Sequence, residues 1–297
     1  MNTEMKKTNN EKEEVYKAQS NFVVVAKRLF KNKVAVFGLF VLIFLLFMAF
    51  FGEALAPYDP TEINFKEKFA TPSAAHPFGC DDFGRDLLSR LMAGTKWSLI
   101  VGFGAVAVAL VMGIIVGSCA GYFGGQVDNL LMRLMDVIQS VPGMLMSICV
   151  SAVLGNGMDK TILALAITTI PNFARILRAS ILQIRKMEYL EASEAINCST
   201  FRLVMKHLLP NAFSSLLVTA TLNVAGAITQ AAGLSFIGLG VQPPTPEWGA
   251  ILSSSRAYMR DYPHMVIFPG LVLAFANFSL NLLGDGFRDA LDPKLKH

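Results

Sequence analysis

Five amide side chains stand within otherwise apolar stretches of the sequence, where a polar group must either bind another polar group or contact a solute. These residues are Gln139, Asn223, Gln230, Asn277 and Asn281. If the stretches cross a membrane, these side chains are candidates for lining a translocation path, and amides without fixed charge would suit a hydrated zwitterionic solute. The alternative is that each amide forms a hydrogen bond between two helices. Both interpretations fit the sequence.

A second group of residues, with a mechanical rather than a chemical role, lies in the polar segment 187–211. Good helix formers in its first half predict a short helix, and Asn197 predicts its end because Asn tolerates the left-handed conformation that closes a helix. Ser199 or Thr200 can cap a second helix, and Pro210 punctuates its entry into the next apolar stretch. Two helices joined by a corner form a rigid protrusion that could dock into a groove of another protein. The alternative is a solvated connector.

The sequence gives little support for catalysis. No Gly is followed by Lys, so a phosphate-binding loop is absent, and the four His include no pair at three- or four-residue spacing, so no metal site can be built on one helix face. We place the Gly-Gly-Gln run at 124–126 in a turn. We place Asp128 and Asp136 in loops and Asp285 at the end of an apolar stretch, where they cannot form an intramembrane carboxylate pair. We therefore expect no enzyme activity, metal site or cofactor on this chain.

The composition indicates that lipid is the main solvent. Of the 297 residues, 53% are hydrophobic and 16% are charged, against about 25% charged in an average soluble domain, and the mean hydropathy is +0.48. A membrane-crossing helix needs about 20 apolar residues. The uncharged stretches of that length are 34–52, 97–127, 137–158, 208–246 and 262–284. The net charge of +4 is too small to indicate a nucleic-acid partner.

The distribution of basic residues predicts a sixth span and the orientation. Eight Lys and Arg residues fall in 1–33 and six fall in 172–210, and both clusters should be cytoplasmic by the positive-inside rule. An even number of crossings must then separate them, so 161–178 is the fourth span, with Arg175 and Arg178 snorkelling at its end. The sequence predicts an all-α polytopic membrane protein with six transmembrane helices and cytoplasmic N- and C-termini.

These spans define the domain organisation. We divide the chain into a cytoplasmic tail at 1–33, a first span with an outer segment at 34–96, and a core domain at 97–297 whose cytoplasmic loop lies at about 186–210. The outer segment is too long for a tight loop and should pack on the membrane face. In the last outer loop, Trp248 could anchor at the membrane interface.

Small residues within the second span predict close helix packing. Gly113, Gly117 and Gly121 follow one another at four-residue spacing, and such a GxxxG pattern lets a second helix approach closely. We interpret this pattern as a packing surface.

The protrusion resembles the EAA motif of bacterial ATP-binding-cassette (ABC) importer permeases, which forms the coupling helix seated in a cleft of the ATPase subunit. The positions that carry the resemblance are Glu191, Ala192, Ser193, Asn197, Leu209 and Pro210. Three positions depart from the motif, namely Ser193 in place of Ala, Asn197 in place of Gly and His207 in place of Ile. By this resemblance Glu191 makes a charged contact to the ATPase, Ala192 and Ser193 permit close approach, and Asn197 sets the corner angle.

Four further stretches, at 76–91, 121–136, 234–252 and 281–295, look like the signature segments of the dipeptide/oligopeptide/nickel branch of these permeases, in its second, C-type subunit. They read HPFGCDDFGRDLLSRL, GYFGGQVDNLLMRLMD, LSFIGLGVQPPTPEWGAIL and NLLGDGFRDALDPKL. The resemblance implies the type I ABC importer permease fold and a subunit that transports dipeptides or oligopeptides across the bacterial cell membrane.

The same resemblance implies the partners. They are a homologous B-type permease subunit, two ABC ATPase subunits that bind ATP and Mg, a solute-binding protein docked near the last outer loop, and membrane lipid. A nickel or metal-chelate importer is the alternative within the family. A secondary transporter is the alternative from another class, and it predicts activity without partners.

Overall fold

The computed structural model describes residues 27–185, 187 and 198–291. These residues form helices and no strand, with one isolated antiparallel bridge between Cys80 and Asp86. The α-helices are α1 (Lys33–Leu55), α2 (Leu87–Phe123), α3 (Gly125–Gln139), α4 (Gly143–Leu154), α5 (Met158–Ile184), α6 (Thr200–Leu203), α7 (Leu209–Phe236), α8 (Trp248–Ser255) and α9 (His264–Leu291). Short 3-10 helices cover Phe65–Glu67 and Arg256–Tyr258, and a π-helical turn covers Val204–Leu208.

Five of these helices, α1, α2, α5, α7 and α9, are long and apolar enough to cross a membrane. They correspond to the predicted first, second, fourth, fifth and sixth spans. The fourth was predicted from charge distribution alone, and its 27-residue helix is long enough for a bilayer because each residue adds 1.5 Å. The all-α polytopic prediction is therefore confirmed.

The predicted third span at 137–158 is not one straight helix. Its first residues belong to α3, and the rest form the 12-residue α4, which is bent away from α3 by 90°. The break falls at Pro142, which disfavours helical geometry in the residue before it. The two helices make a sixth span only if the bent pair is counted as one crossing. Asp128 and Asp136, which we had placed in loops, lie within α3.

The turn predicted at 124–126 is tighter than expected. Helix α2 ends at Phe123, and α3 begins at Gly125. Gly124 and Gly125 both have positive φ angles, of 64° and 53°, which only Gly adopts without steric cost. The chain therefore passes from α2 into α3 through these two glycines alone.

Pro210 does not interrupt the helix that it was expected to punctuate. The chain is helical without a break from Thr200 to Phe236, and the residues just before Pro210 form the π-helical turn, in which Leu209 N–H bonds to the carbonyl of Val204. Pro removes one backbone donor and crowds the preceding turn. The π-helical turn, which is wider than an α-helical turn, accommodates both the missing donor and the crowding. The second half of the predicted protrusion and the fifth span are thus a single helical rod.

The centre of the bundle is a parallel contact between α2 and α5. A methyl group built on Gly113 would lie 2.4 Å from the Cβ of Phe173, and one on Gly117 would lie 2.6 Å from the carbonyl oxygen of Ala174. Gly121 meets Ile181 in the same way, at 2.9 Å. The predicted packing role of the GxxxG pattern is confirmed, and it brings the C-terminal ends of α2 and α5 to the same end of the bundle.

The first and last helices also meet, in antiparallel orientation. A methyl group on Gly286 would lie 2.2 Å from the Cβ of Ala35, and the guanidinium of Arg28 donates to the carbonyl of Ala290. The start of α1 and the end of α9 therefore lie together. We call the end of the bundle that holds Ile184 and Leu209 the α5–α7 end, and the connection at 56–86 the α1–α2 connection.

Candidate functional site

The α5–α7 end carries the segment singled out for coupling. Glu191, Ala192, Ser193 and Asn197 lie outside the described residues. Leu209 is half-buried against the core, and the adjacent proline is exposed in the first turn of α7. Because α5 and α7 pack against each other, the segment 185–199 joins two helices that are already in contact.

Two arginines near the end of α5 form ion pairs with acidic residues of α3. Arg178 donates from Nε and Nη2 to the two carboxylate oxygens of Asp128. One turn earlier, Arg175 donates from Nη2 to Asp136 at 2.5 Å and from Nη1 to the side-chain oxygen of Gln139. A guanidinium that forms two hydrogen bonds to one carboxylate fixes the relative orientation of the two side chains in addition to pairing their charges. These contacts fasten α5 to α3, and the snorkelling of both arginines stays a prediction.

A third arginine ties the end of α5 to the end of α2. Arg185, directly after α5, donates from Nη1 to the carbonyl oxygen of Tyr122 at 2.7 Å and lies over the ring of the same residue. Tyr122 belongs to the last turn of α2, where carbonyl groups lack helical partners and attract cations. The ends of α2, α3 and α5 are thereby joined into one unit that bears the connecting segment. The sequence shows the charges but not their partners, which lie 36 to 63 positions away.

Two of the five amide residues proposed to line a path lie together. Asn277 on α9 donates to the hydroxyl of Thr229 on α7, and Asn281, one turn further along α9, donates to the side-chain oxygen of Asn277 at 2.9 Å. These bonds form a short polar ladder between α7 and α9. The ladder joins two helices by hydrogen bonds, which is one of the two roles considered for these amides. It also leaves the amides of α9 partly exposed, so they remain candidates for lining a translocation path.

The other three amides do not join that ladder. Gln139 ends α3 and accepts from Arg175. Asn223 donates to the carbonyl of Thr219 on its own helix at 2.7 Å, and Gln230 is half-buried on α7. The predicted path residues therefore occupy several parts of the bundle.

A cavity of about 480 Å³, with hydroxyl groups and one arginine in an otherwise apolar wall, opens near the α5–α7 end, between α5, α7 and α9. Its lining residues are Ile176, Ser214, Ser215, Val218, Thr219, Leu222, Arg288 and Leu291. The hydroxyl groups come from one face of α7 and the single charge comes from the end of α9. This group is not among the residues predicted from the sequence, although the Ser-Ser pair followed by Thr four residues later places all three hydroxyl groups near one face of a helix.

At the opposite end, α8 is locked to α2 by buried polar contacts. The carboxylate of Glu247 accepts from the backbone N–H of Gly249 and Ala250, at 2.9 Å each, and from the hydroxyl of Ser98. Trp248 is fully buried and donates from its indole N–H to the carbonyl of Leu91 at 3.1 Å. The prediction that Trp248 anchors at the membrane interface is wrong, because the folded chain supplies the partner that lipid headgroups would have provided.

The α1–α2 connection is folded around buried charges. Arg85 donates to Asp81 at 2.7 Å, and the buried Arg90 donates to the carbonyl of Pro60 at 3.1 Å. Burial, together with the neighbouring carboxylate of Asp81, raises the pKa of Asp82 above its usual value. The connection packs onto the bundle, where the ring of Phe78 stacks on that of Phe268 in α9, and its expected position on the membrane face stays a prediction.

Comparison with known families places the sequence among transport proteins. Residues 113–297 match the model of the binding-protein-dependent transport system inner membrane component family, and residues 20–72 match that of the N-terminal TM domain of oligopeptide transport permease C.

Characterised relatives match over nearly the whole chain. The dipeptide transport system permease protein DppC of Alkalihalophilus pseudofirmus is 39% identical, with 96% of this chain and 93% of the relative aligned. The glutathione transport system permease protein GsiD of Pectobacterium atrosepticum is 42% identical, over 91% of this chain and 90% of the relative.

A solved structure supports the fold. The MetNI methionine ABC transporter in an inward-facing conformation superposes with a TM-score of 0.55 at 20% identity, covering 68% of this chain and 97% of that one. At this identity the likeness concerns the fold alone, and it agrees with a type I ABC permease architecture.

Proposed function

Because the chain belongs to the family of binding-protein-dependent transport system inner membrane components, we propose that it acts as one half of the translocation path of an ATP-driven peptide importer. The chain is a multi-pass protein of the bacterial inner membrane, and its fold is that of an ABC importer permease.

The observation that carries the coupling proposal is the set of arginine contacts at the α5–α7 end. Arg175, Arg178 and Arg185 join α2, α3 and α5 into one unit, and the segment that resembles the EAA motif follows directly. A force applied to that segment by a partner would therefore move three helices together rather than bend one. The continuous helical rod from Thr200 to Phe236 transmits the same displacement into α7.

On this proposal the coupling segment is cytoplasmic and seats in a cleft of an ABC ATPase subunit. Glu191 makes the charged contact, Ala192 and Ser193 allow close approach, and Asn197 sets the angle between the two helices. When the ATPases close on ATP, the segment moves as a lever and the shared cavity opens outward. Two observations support this proposal: the chain belongs to a transport permease family, and the segment connects the α2–α3–α5 unit to the continuous helix that includes α7.

The partners follow from the same proposal. A homologous B-type permease supplies the other half of the path, two ABC ATPase subunits bind ATP and Mg, and a solute-binding protein delivers the solute on the outer side. This chain carries no cofactor and performs no hydrolysis itself. The relatives are transport permease subunits, which supports a non-enzymatic role.

Peptides of two or a few residues are the proposed solute. The named relatives transport dipeptides and glutathione. Both solutes are hydrated, and each carries positively and negatively charged groups on the same molecule. The cavity near the α5–α7 end presents hydroxyl groups and one arginine. The arginine can bind the carboxylate of a peptide. Because this is the only charged side chain in the described lining, a zwitterionic peptide would not be held too tightly to be released. A nickel or metal-chelate importer remains the alternative within the branch, and its cargo would need different ligands.

Uptake by the reconstituted complex tests this function. The chain would be co-expressed with its neighbouring transport subunits, reconstituted in liposomes with the binding protein, and assayed with labelled dipeptide, glutathione or nickel chelate. We expect uptake of peptide that requires ATP and binding protein. Uptake of nickel chelate alone would favour the metal importer, and transport by the isolated chain without ATP would favour a secondary transporter.

A further inference from the structure

We propose that Glu67, His76 and Cys80 form a binding site for one zinc-type divalent ion within the α1–α2 connection. A carboxylate oxygen, an imidazole nitrogen and the thiol sulfur of these residues all lie within 4.8 Å of one another. The site is independent of the proposed transport function. It would hold a resident ion rather than cargo, because it lies beside the start of α9, whereas the 480 Å³ cavity lies at the opposite end of that helix.

The histidine is oriented as a metal ligand. Its Nδ1 lies 2.9 Å from a carboxylate oxygen of the buried Asp86, and its ring stacks on Tyr58 with centroids 4.6 Å apart. Metal-binding histidines usually donate their second ring nitrogen to a carboxylate, which fixes the tautomer and aims the other nitrogen at the ion. With Nδ1 engaged by Asp86, Nε2 of His76 is the atom available to a metal.

The spacing of the donor atoms fits a small tetrahedral ion. The Nε2 atom of His76 lies 3.4 Å from Oε2 of Glu67. Two ligands of a tetrahedral zinc ion, each bound at about 2.0–2.1 Å, are separated by roughly 3.4 Å. One sulfur, one nitrogen and one oxygen donor suit zinc, whereas calcium and magnesium prefer oxygen alone. Three protein ligands leave the fourth position to water.

The charge around Cys80 favours a cation. The thiol is fully buried, and the carboxylates of Asp86, Glu67 and Asp81 lie close enough to act on it electrostatically. The negative potential of these carboxylates stabilises a divalent ion at the site.

The backbone holds the three ligands without help from an ion. The N–H of Gly79 bonds to the carbonyl of His76 in a tight turn, and the next residue pairs with Asp86 in the isolated bridge. Glu67 ends the short 3-10 helix that Asn64 caps, and the amide of Asn64 donates to its carboxylate at 2.8 Å. These two pieces of chain converge on the site, so a bound ion would clamp them together.

The site reaches the protein surface at Glu67. The side chain of Glu67 is 43% exposed, whereas that of His76 is 8% exposed. A further imidazole lies close by, since His264 packs against Gly79 and its Nε2 is buried without a hydrogen-bond partner among the described residues. An ion would therefore enter past Glu67 and meet nitrogen and sulfur donors in the interior.

Cobalt titration of the complete transporter complex tests the site. The complex would be treated with a chelator, dialysed and titrated with Co²⁺ while the near-ultraviolet absorption of thiolate-to-cobalt charge transfer is followed. We expect one such site per chain, with Co²⁺ displaced by Zn²⁺. Cys80→Ser should abolish the band, and Glu67→Gln, on a half-exposed side chain, should weaken Co²⁺ binding at least tenfold. Cys149→Ser is the matched control and should leave the band unchanged.

Two results would overturn the proposal. One is the absence of a charge-transfer band in the wild-type complex, which would leave Asp86, His76 and Glu67 as a plain hydrogen-bonded triad. The other is a band that survives Cys80→Ser, which would assign the metal to another subunit or another thiol. Melting curves of the metal-free complexes check that Cys80→Ser and Glu67→Gln remain folded.

Discussion

Arg178 of α5 meets Asp128 of α3 at two points, through Nε and Nη2. On α5 the pair lies one helical turn from the contact between Arg175 and Asp136, although the two aspartates are eight residues apart on α3, so α3 is fastened to one edge of α5. This edge leads directly to the segment proposed to couple with the ATPase. Movement of that segment without α3 would require breaking a charge pair on each of two turns.

Reversing the charge of Asp128 tests this link. Asp128→Arg should cut peptide uptake at least tenfold, since Arg178 would then face a like charge, and the double variant Asp128→Arg/Arg178→Asp should restore a measurable part of it. The effect on stability should be small, roughly 1 kcal/mol, because the arginine is partly exposed. ATP-dependent uptake in liposomes is the measurement. Equal loss in the single and double variants would show that the pairing itself is unimportant.

Enlarging Gly117 should weaken the central helix contact. A methyl group there would lie 2.6 Å from the carbonyl oxygen of Ala174, and such overpacking costs about 1–3 kcal/mol. We expect Gly117→Ala to lower the melting temperature of the complex and Gly117→Leu to prevent its assembly. The matched control is Gly226→Ala, also within a helix but with open space around it, which should be neutral or stabilising. Equal behaviour of the two Ala variants would contradict the close α2–α5 approach.

Removing the carboxylate of Glu247 should destabilise the end of the bundle where α8 meets α2. This buried carboxylate accepts hydrogen bonds from two backbone N–H groups and from the Ser98 hydroxyl. Each buried donor left without a partner lowers the free energy of unfolding by about 1–3 kcal/mol. Glu247→Ala should therefore lower the melting temperature of the purified complex by several degrees, and Glu247→Gln, which keeps one acceptor, should lower it less. An unchanged melting temperature in the Ala variant would mean that this cap is dispensable.

The polar ladder between α7 and α9 gives a test of the path. Asn277→Leu removes its central amide, which bonds to Thr229 and Asn281. If the ladder contacts solute, we expect peptide uptake to fall several-fold while the complex still assembles and hydrolyses ATP. Thr229→Val, which removes the hydroxyl but leaves both amides of α9, serves as the comparison. Normal uptake with a lowered melting temperature would assign the ladder to helix packing alone.

The helices were largely predictable because their signal is local. Runs of apolar residues mark α1, α2, α5, α7 and α9, and the balance of basic residues identified α5 despite its short uncharged stretch. The bent pair α3–α4 escaped because apolar residues continue through Pro142 and hide the change of direction. The amphipathic character of α3 also disguised it as a charged loop.

The contacts at both ends of the bundle were not predictable from sequence patterns. The partners of Arg178 and Trp248 lie 50 and 157 positions away along the chain. The periodic pattern of apolar residues carries no information about contacts across such distances. The Glu67, His76 and Cys80 cluster was missed for a related reason, since its ligands come from a 3-10 helix and a turn rather than from one helix face. Local spacing predicts elements, whereas sites assembled between elements require the fold.

Binding-protein-stimulated ATPase activity of the complete complex with Glu191→Arg tests the coupling claim most directly. Glu194→Arg, which makes the same charge change three residues away outside the motif positions, is the matched control. We expect the ATPase subunits to co-purify with the wild-type chain, and we expect Glu191→Arg to abolish stimulation while Glu194→Arg retains it. Full stimulation with Glu191→Arg would contradict the proposed coupling contact.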